Sequence, residues 1–107
     1  MKPNPAPYRH VVLFKFKDGV GPEKTQAIAH AFRAFCAGLP FVTGFEWGEN
    51  SSVENINHGY THCFIVTFAD STGRDAYLPH PAHQAFCKDH LDPSLDRVCV
   101  IDFSVNT

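Results

Sequence analysis

No two of the four cysteines, Cys36, Cys63, Cys87 and Cys99, form a Cys-x-x-Cys pair, and each sits among apolar neighbours. That removes the usual sequence signature of a zinc or dithiol centre. In a reducing compartment such thiols behave as small buried hydrophobes. The chain also lacks any apolar run near the roughly 20 residues that a membrane-spanning helix needs. It has no basic excess either: nine Lys and Arg face eleven Asp and Glu, for a net charge of -2. Nucleic-acid binding needs a basic face, so that class of partner is excluded. The opening Met1-Lys2-Pro3-Asn4-Pro5-Ala6-Pro7 has no apolar centre of the signal-peptide kind. Residues 1–7 are therefore expected to form a flexible tail before a domain over 8–107, in a cytoplasmic protein. Internal repeats are absent.

What remains is an ordinary globular composition, 44% hydrophobic and 19% charged over 107 residues, with ten phenylalanines. One domain with a modest, ring-rich core follows. Tyr8 to Lys17 reads as a strand, because Val11, Val12, Leu13, Phe14 and Phe16 are apolar on both faces. Lys15 and Lys17 near its end read as a solvated edge. Asp18-Gly19-Val20-Gly21 is a turn, and Pro22 opens a helix to about Gly38 with an apolar stripe of Ile28, Phe32, Phe35 and Leu39. Strands are expected at about 41–49, 60–69 and 97–105. A short helix capped by Asp70-Ser71 runs to Leu78, and a second spans Pro81 to Leu91. The polar stretch Ser51 to Gly59 is long for a hairpin and is a candidate lid.

The order β-α-β-β-α-β is the α+β, ferredoxin-like arrangement. Its helices cover one sheet face. Either Val11 and Leu13, or His10, Val12, Phe14 and Phe16, must then face away from them. An apolar sheet face is rarely left in water, so a homodimer packing two sheets into a barrel is expected.

Chemistry concentrates in Tyr77-Leu78-Pro79-His80-Pro81-Ala82-His83-Gln84. Proline suits the first helical position, which makes His80 the N-cap and places His83 in the first turn. There the helix dipole disfavours the imidazolium and leaves a neutral ring able to take a proton. Tyr77 ends the preceding helix close enough to offer a hydroxyl. The bland alternative for His83 is a half-buried ring bonded to a backbone carbonyl, and for Tyr77 an amphipathic core ring. His10 and His62 lie on strands and either orient substrate or bond across the sheet. His83, Cys87 and His90 share one helix face, a spacing that permits two zinc ligands. It is equally that of a packing face, and no metal is expected. Trp47, in a Gly-flanked strand, is placed to line a cavity.

Four segments, His10 to Lys17, Phe45-Glu46-Trp47-Gly48, Gly59-Tyr60-Thr61-His62 and Tyr77 to His83, make the chain resemble the Dabb family of stress-responsive dimeric α/β barrel domains. The resemblance runs from about Tyr8 to Val105 and implies a ferredoxin-like protomer in a homodimer. A plant polyketide cyclase of that family uses a histidine base and an assisting tyrosine in an intramolecular aldol condensation. Carried over, His83 and Tyr77 are the catalytic pair, and His10, His62 and His80 also match its histidines. With Trp47, and Phe32 from the first helix, they are the expected substrate contacts. The substrate implied is a β-keto or aromatic small molecule, with no cofactor. The alternatives are a non-enzymatic stress-associated or ligand-binding dimer and a cofactor-free monooxygenase on the same fold.

Overall fold

The computed structural model describes residues 6–106, so residues 1–5 of the expected tail lie outside the described residues. Strand β1 is Tyr8–Phe16, helix α1 Pro22–Ala37, β2 Val42–Glu49 and β3 His62–Phe68. Helices α2, Ser71–Tyr77, and α3, Pro81–Phe86, follow; a π-helical turn over Cys87–Leu91 leads into β4, Leu95–Ser104. The strands form one sheet in the order β2-β3-β1-β4, with antiparallel neighbours throughout. This is the ferredoxin-like fold.

The two central strands, β1 and β3, are the two that read as apolar on both faces. β1 is therefore not an edge. Lys15 instead marks the end of a central strand, where its Nζ lies 2.8 Å from Asp96 of β4.

Residues opposite one another in an antiparallel pair project to the same side of the sheet. His10 is opposite Val66 and Asp102, and Val12 is opposite Phe64 and Val100. These rows face the helices. Val11 and Leu13, with Ile65, Cys63, Cys99 and Ile101 opposite them, face away. Ile101 is 58% exposed.

The core lies between the sheet and α1, and it is built of rings. Phe64 is fully buried, with ring centroids of Phe14 and Phe32 at 4.9 and 5.0 Å and Trp47 at 5.6 Å. On α1 the expected stripe turns slightly: Ile28, Ala29, Phe32 and Cys36 are buried, as is Leu39 just beyond the helix. Phe35 is only half-buried and stacks toward Tyr77 and Phe86.

Two local features position the residues around Tyr77. Asp70 caps α2 by accepting the Thr72 N–H at 2.9 Å. Gly73 lies flush on β3, since a Cβ there would stand 2.8 Å from Phe68 Cβ, so the helix sits against the sheet and Tyr77 points into the interior. The helix expected over Pro81 to Leu91 is regular only to Phe86. Beyond it the Asp92 N–H reaches back to the Cys87 carbonyl at 2.9 Å, an i to i+5 closure that widens the last turn. Among the described residues no helix is long and apolar enough to cross a membrane.

Candidate active site

A cavity of about 620 Å³ opens between the helix-facing side of β1 and β4 and the α2–α3 segment. Val12, Phe14, Phe32, Phe86, Val98 and Val100 supply apolar wall. His10, Tyr77, His83, Cys87 and Asp102 bring chemistry to it.

His83 is fixed by its place at the start of α3. Pro81 occupies the first turn, and His80 Nδ1 accepts the Ala82 N–H at 3.1 Å, the expected N-cap. The chain before the cap turns back, so that the Leu78 carbonyl lies 2.9 Å from His83 Nδ1. A carbonyl only accepts, so Nδ1 carries the proton and Nε2 carries the lone pair. Cys87 Sγ stands 3.5 Å from that Nε2, and the Tyr77 ring is 4.5 Å from the imidazole, centroid to centroid. Burial lowers the His83 pKa, with the charge of His10 acting the same way, while the bond to Leu78 opposes them. A neutral ring follows, as expected, with burial rather than the helix dipole as its largest cause.

Tyr77 is 1% exposed. Burial first, then the Cys36 and Cys87 thiols, push its phenol well above the ordinary tyrosine range. It stays protonated and serves as a donor.

His10 is held by a network that sequence reasoning did not find. Its Nδ1 lies 2.7 Å from Asp102 Oδ1, and Asp102 Oδ2 accepts from Arg74 at 2.8 Å. Arg74 also donates to the Tyr8 hydroxyl at 2.7 Å and to Asp75 at 2.8 Å. The only signal was a carboxylate set in the apolar run Cys99-Val100-Ile101-Asp102-Phe103. A partly buried charge of that kind is costly without a partner.

The cavity thus gathers His83, Tyr77, His10 and Phe32, and leaves out three of the expected substrate contacts. His62 lies at the far end of the sheet, opposite Phe14. Its Nδ1 pairs with Thr61 Oγ1 at 2.8 Å, and its Nε2 has no hydrogen-bond partner among the described residues, with Glu49 at 3.7 Å. Trp47 stacks beside it on Phe64 and His62. His80 is occupied by its cap and packs 6.0 Å from Phe41. His90 packs on Phe86, 5.3 Å between centroids. The loop expected as a lid does not cover this cavity either. Ile56, Asn57 and His58 border a second hollow, which Trp47 and His62 also line together with Leu13 and Cys99 of the open sheet face. The loop is held there by Arg97 donating to the His58 carbonyl at 2.9 Å.

The lowered pKa values of His83 and His62 carry a pH dependence. Both rings are kept neutral in the fold, below their ordinary 6.5. The stability they contribute is present above that value and is lost as pH falls through the folded values. Melting temperature is expected to drop from pH 7 toward pH 5, and less steeply in His83→Gln; parallel melts by circular dichroism check it.

Residues 8–105 match the stress-responsive A/B barrel domain family, Dabb. The stress-response A/B barrel domain-containing protein HS1 of Arabidopsis thaliana is 40% identical over 97 residues, covering 91% of this chain and 88% of that protein. Olivetolic acid cyclase of Cannabis sativa is 28% identical over 78 residues, 73% of this chain and 77% of the cyclase. The hydroxynitrile lyase of Passiflora edulis superposes with a TM-score of 0.86 over 95% of each chain at 21% identity, a likeness of fold. With a family match over nearly its whole length and a relative this similar, the chain belongs to the stress-responsive A/B barrel family.

Proposed function

We propose that this protein is a cofactor-independent enzyme of the cyclase or lyase type, acting on a β-keto or aromatic small molecule. The observation that carries the reading is the Nδ1–H bond from His83 to the Leu78 carbonyl, which presents an unprotonated Nε2 beside Tyr77 in an apolar hollow. His83 Nε2 removes a proton α to a carbonyl, and the Tyr77 O–H donates to the oxygen on which charge accumulates. The enolate carbon attacks a second carbonyl of the same substrate, and the imidazolium returns its proton to the new alkoxide. His10, oriented by Asp102, and Phe32 hold the chain in its folded pose. The apolar wall limits water and favours ring closure over hydrolysis. Similarity to olivetolic acid cyclase supports this chemistry.

The test is ring closure of linear poly-β-keto thioesters, followed by product mass and ultraviolet absorbance against a protein-free blank. Acceleration with defined product is the expected result; rates equal to the blank overturn the reading. One observation favours a second reading, a non-enzymatic ligand-binding dimer: the Cys87 thiol already engages His83 Nε2. Ligand binding without turnover would select it.

The proposal includes a homodimer. A single open four-stranded sheet is half of a barrel, and the face bearing Val11, Leu13, Ile65 and Ile101 is apolar and uncovered by helices. Two copies related by a two-fold axis bury it against itself. Leu13→Asp places an unpaired carboxylate there, which is costly to bury. It is expected to convert the protein from twice the protomer mass to the protomer mass in light scattering; an unchanged mass would contradict this interface.

A further inference from the structure

The cyclase reading leaves Cys87 without a role. Its side chain borders the cavity, at the point where α3 gives way to the π-helical turn. Because His83 Nδ1 already donates to Leu78, the 3.5 Å approach of Sγ to Nε2 has one polarity: the thiol donates and the imidazole accepts. We propose that Cys87 and His83 form a nucleophile–base pair, making the cavity a site of covalent addition for α,β-unsaturated carbonyl compounds. The inference rests on the position of the His83 proton and not on the cyclase reading.

The step is balanced without a further reactant. The thiol proton passes to Nε2 and the sulfur forms a bond to the β-carbon. The double-bond pair moves onto the α-carbon and carbonyl oxygen as an enolate, facing the Tyr77 hydroxyl. The imidazolium then protonates the α-carbon, and His83 returns to its neutral form. Apolar wall from Val12, Phe86 and Val98 suits the hydrocarbon part of an enone.

The other thiols lack this arrangement. Cys36 is 2% exposed, and burial pushes it up to about 12. Cys63 and Cys99 lie on the open sheet face, both opposite Leu13. Burial also raises the Cys87 thiol, with Asp92 adding to it. It therefore rests protonated, and its reaction depends on the adjoining base.

The experiment exposes the full-length protein at pH 7 to one equivalent of methyl vinyl ketone and follows adducts by intact mass and peptide mapping. Cys87 is expected to be alkylated first. It should react faster in the folded protein than in the urea-unfolded chain, where a merely half-buried thiol would react more slowly when folded. His83→Gln should slow the Cys87 adduct at least about tenfold while leaving Cys63 and Cys99 at their wild-type rates. Alkylation of Cys63 or Cys99 ahead of Cys87 overturns the proposal. So does a Cys87 rate that is lower in the folded wild type than in the unfolded chain, whatever the variant does.

Discussion

Replacing His83 by alanine is expected to lower turnover by about a hundred- to ten-thousand-fold, the usual contribution of a positioned general base. The substitution removes Nε2 and the proton acceptor with it. The fold should survive, because the Leu78 carbonyl that His83 engages also accepts from Gln84 Nε2 at 2.9 Å, so that carbonyl keeps a partner. Steady-state turnover measured beside a thermal melt separates the two effects. Lost activity with an intact melt is the expected pattern. Unchanged activity would remove His83 from the chemistry and leave His10, held by Asp102, as the remaining imidazole in the cavity. Tyr77→Phe should act differently, lowering kcat more than it raises KM, because its hydroxyl matters most when the oxygen carries charge.

The second large effect is on stability. Phe64→Ala is expected to cost about 3–5 kcal/mol, the range for deleting a fully buried ring from a packed core. The reasons are local: no part of Phe64 reaches solvent, and four aromatic side chains, Phe14, Phe32, Phe45 and Trp47, pack around it. It stands between the cavity wall and the Trp47–His62 stack, so no single neighbour can collapse into the gap. A domain of this size holds only about 5–15 kcal/mol in total. Urea unfolding should therefore show a much lower midpoint with little change in slope. A loss below about 1 kcal/mol would mean that the ring cluster is looser than described.

Much of this fold was legible in the chain. Pro22 and Gly38 bracket α1, Asp70 caps α2, and β1 and β3 betray their central place by being apolar on both sides. That same property hid which face meets the helices, because alternation carries no information when both alternatives are hydrophobic. The pairing of His10 with Asp102 was not legible at all. The two are 92 positions apart, and only the register of β1 on β4 brings them together.

The separation of the expected contacts has a geometric cause. His10 and His62 do face the same side of the sheet, as their alternation patterns suggest. Antiparallel pairing, however, sets His10 opposite Val66, four residues along β3 from His62, a separation of roughly 14 Å at strand rise. Alternation gives the face but not the end. His83 was recognisable from Pro81 and the cap, while its protonation pattern depends on where the Leu78 carbonyl points. A helical reading of 81–91 likewise missed the π-helical turn beginning at Cys87, since a single i to i+5 closure leaves no periodic mark.

The proton on His83 decides both the proposed base catalysis and the proposed thiol chemistry. Long-range nitrogen–proton correlation spectra of the nitrogen-15-labelled protein near pH 7 report it directly, with His83→Gln assigning the ring. The expected result is a neutral imidazole protonated at Nδ1, with an unprotonated Nε2 whose resonance shifts in Cys87→Ala as the thiol's hydrogen bond is lost. A ring protonated at Nε2, or charged at that pH, would contradict it.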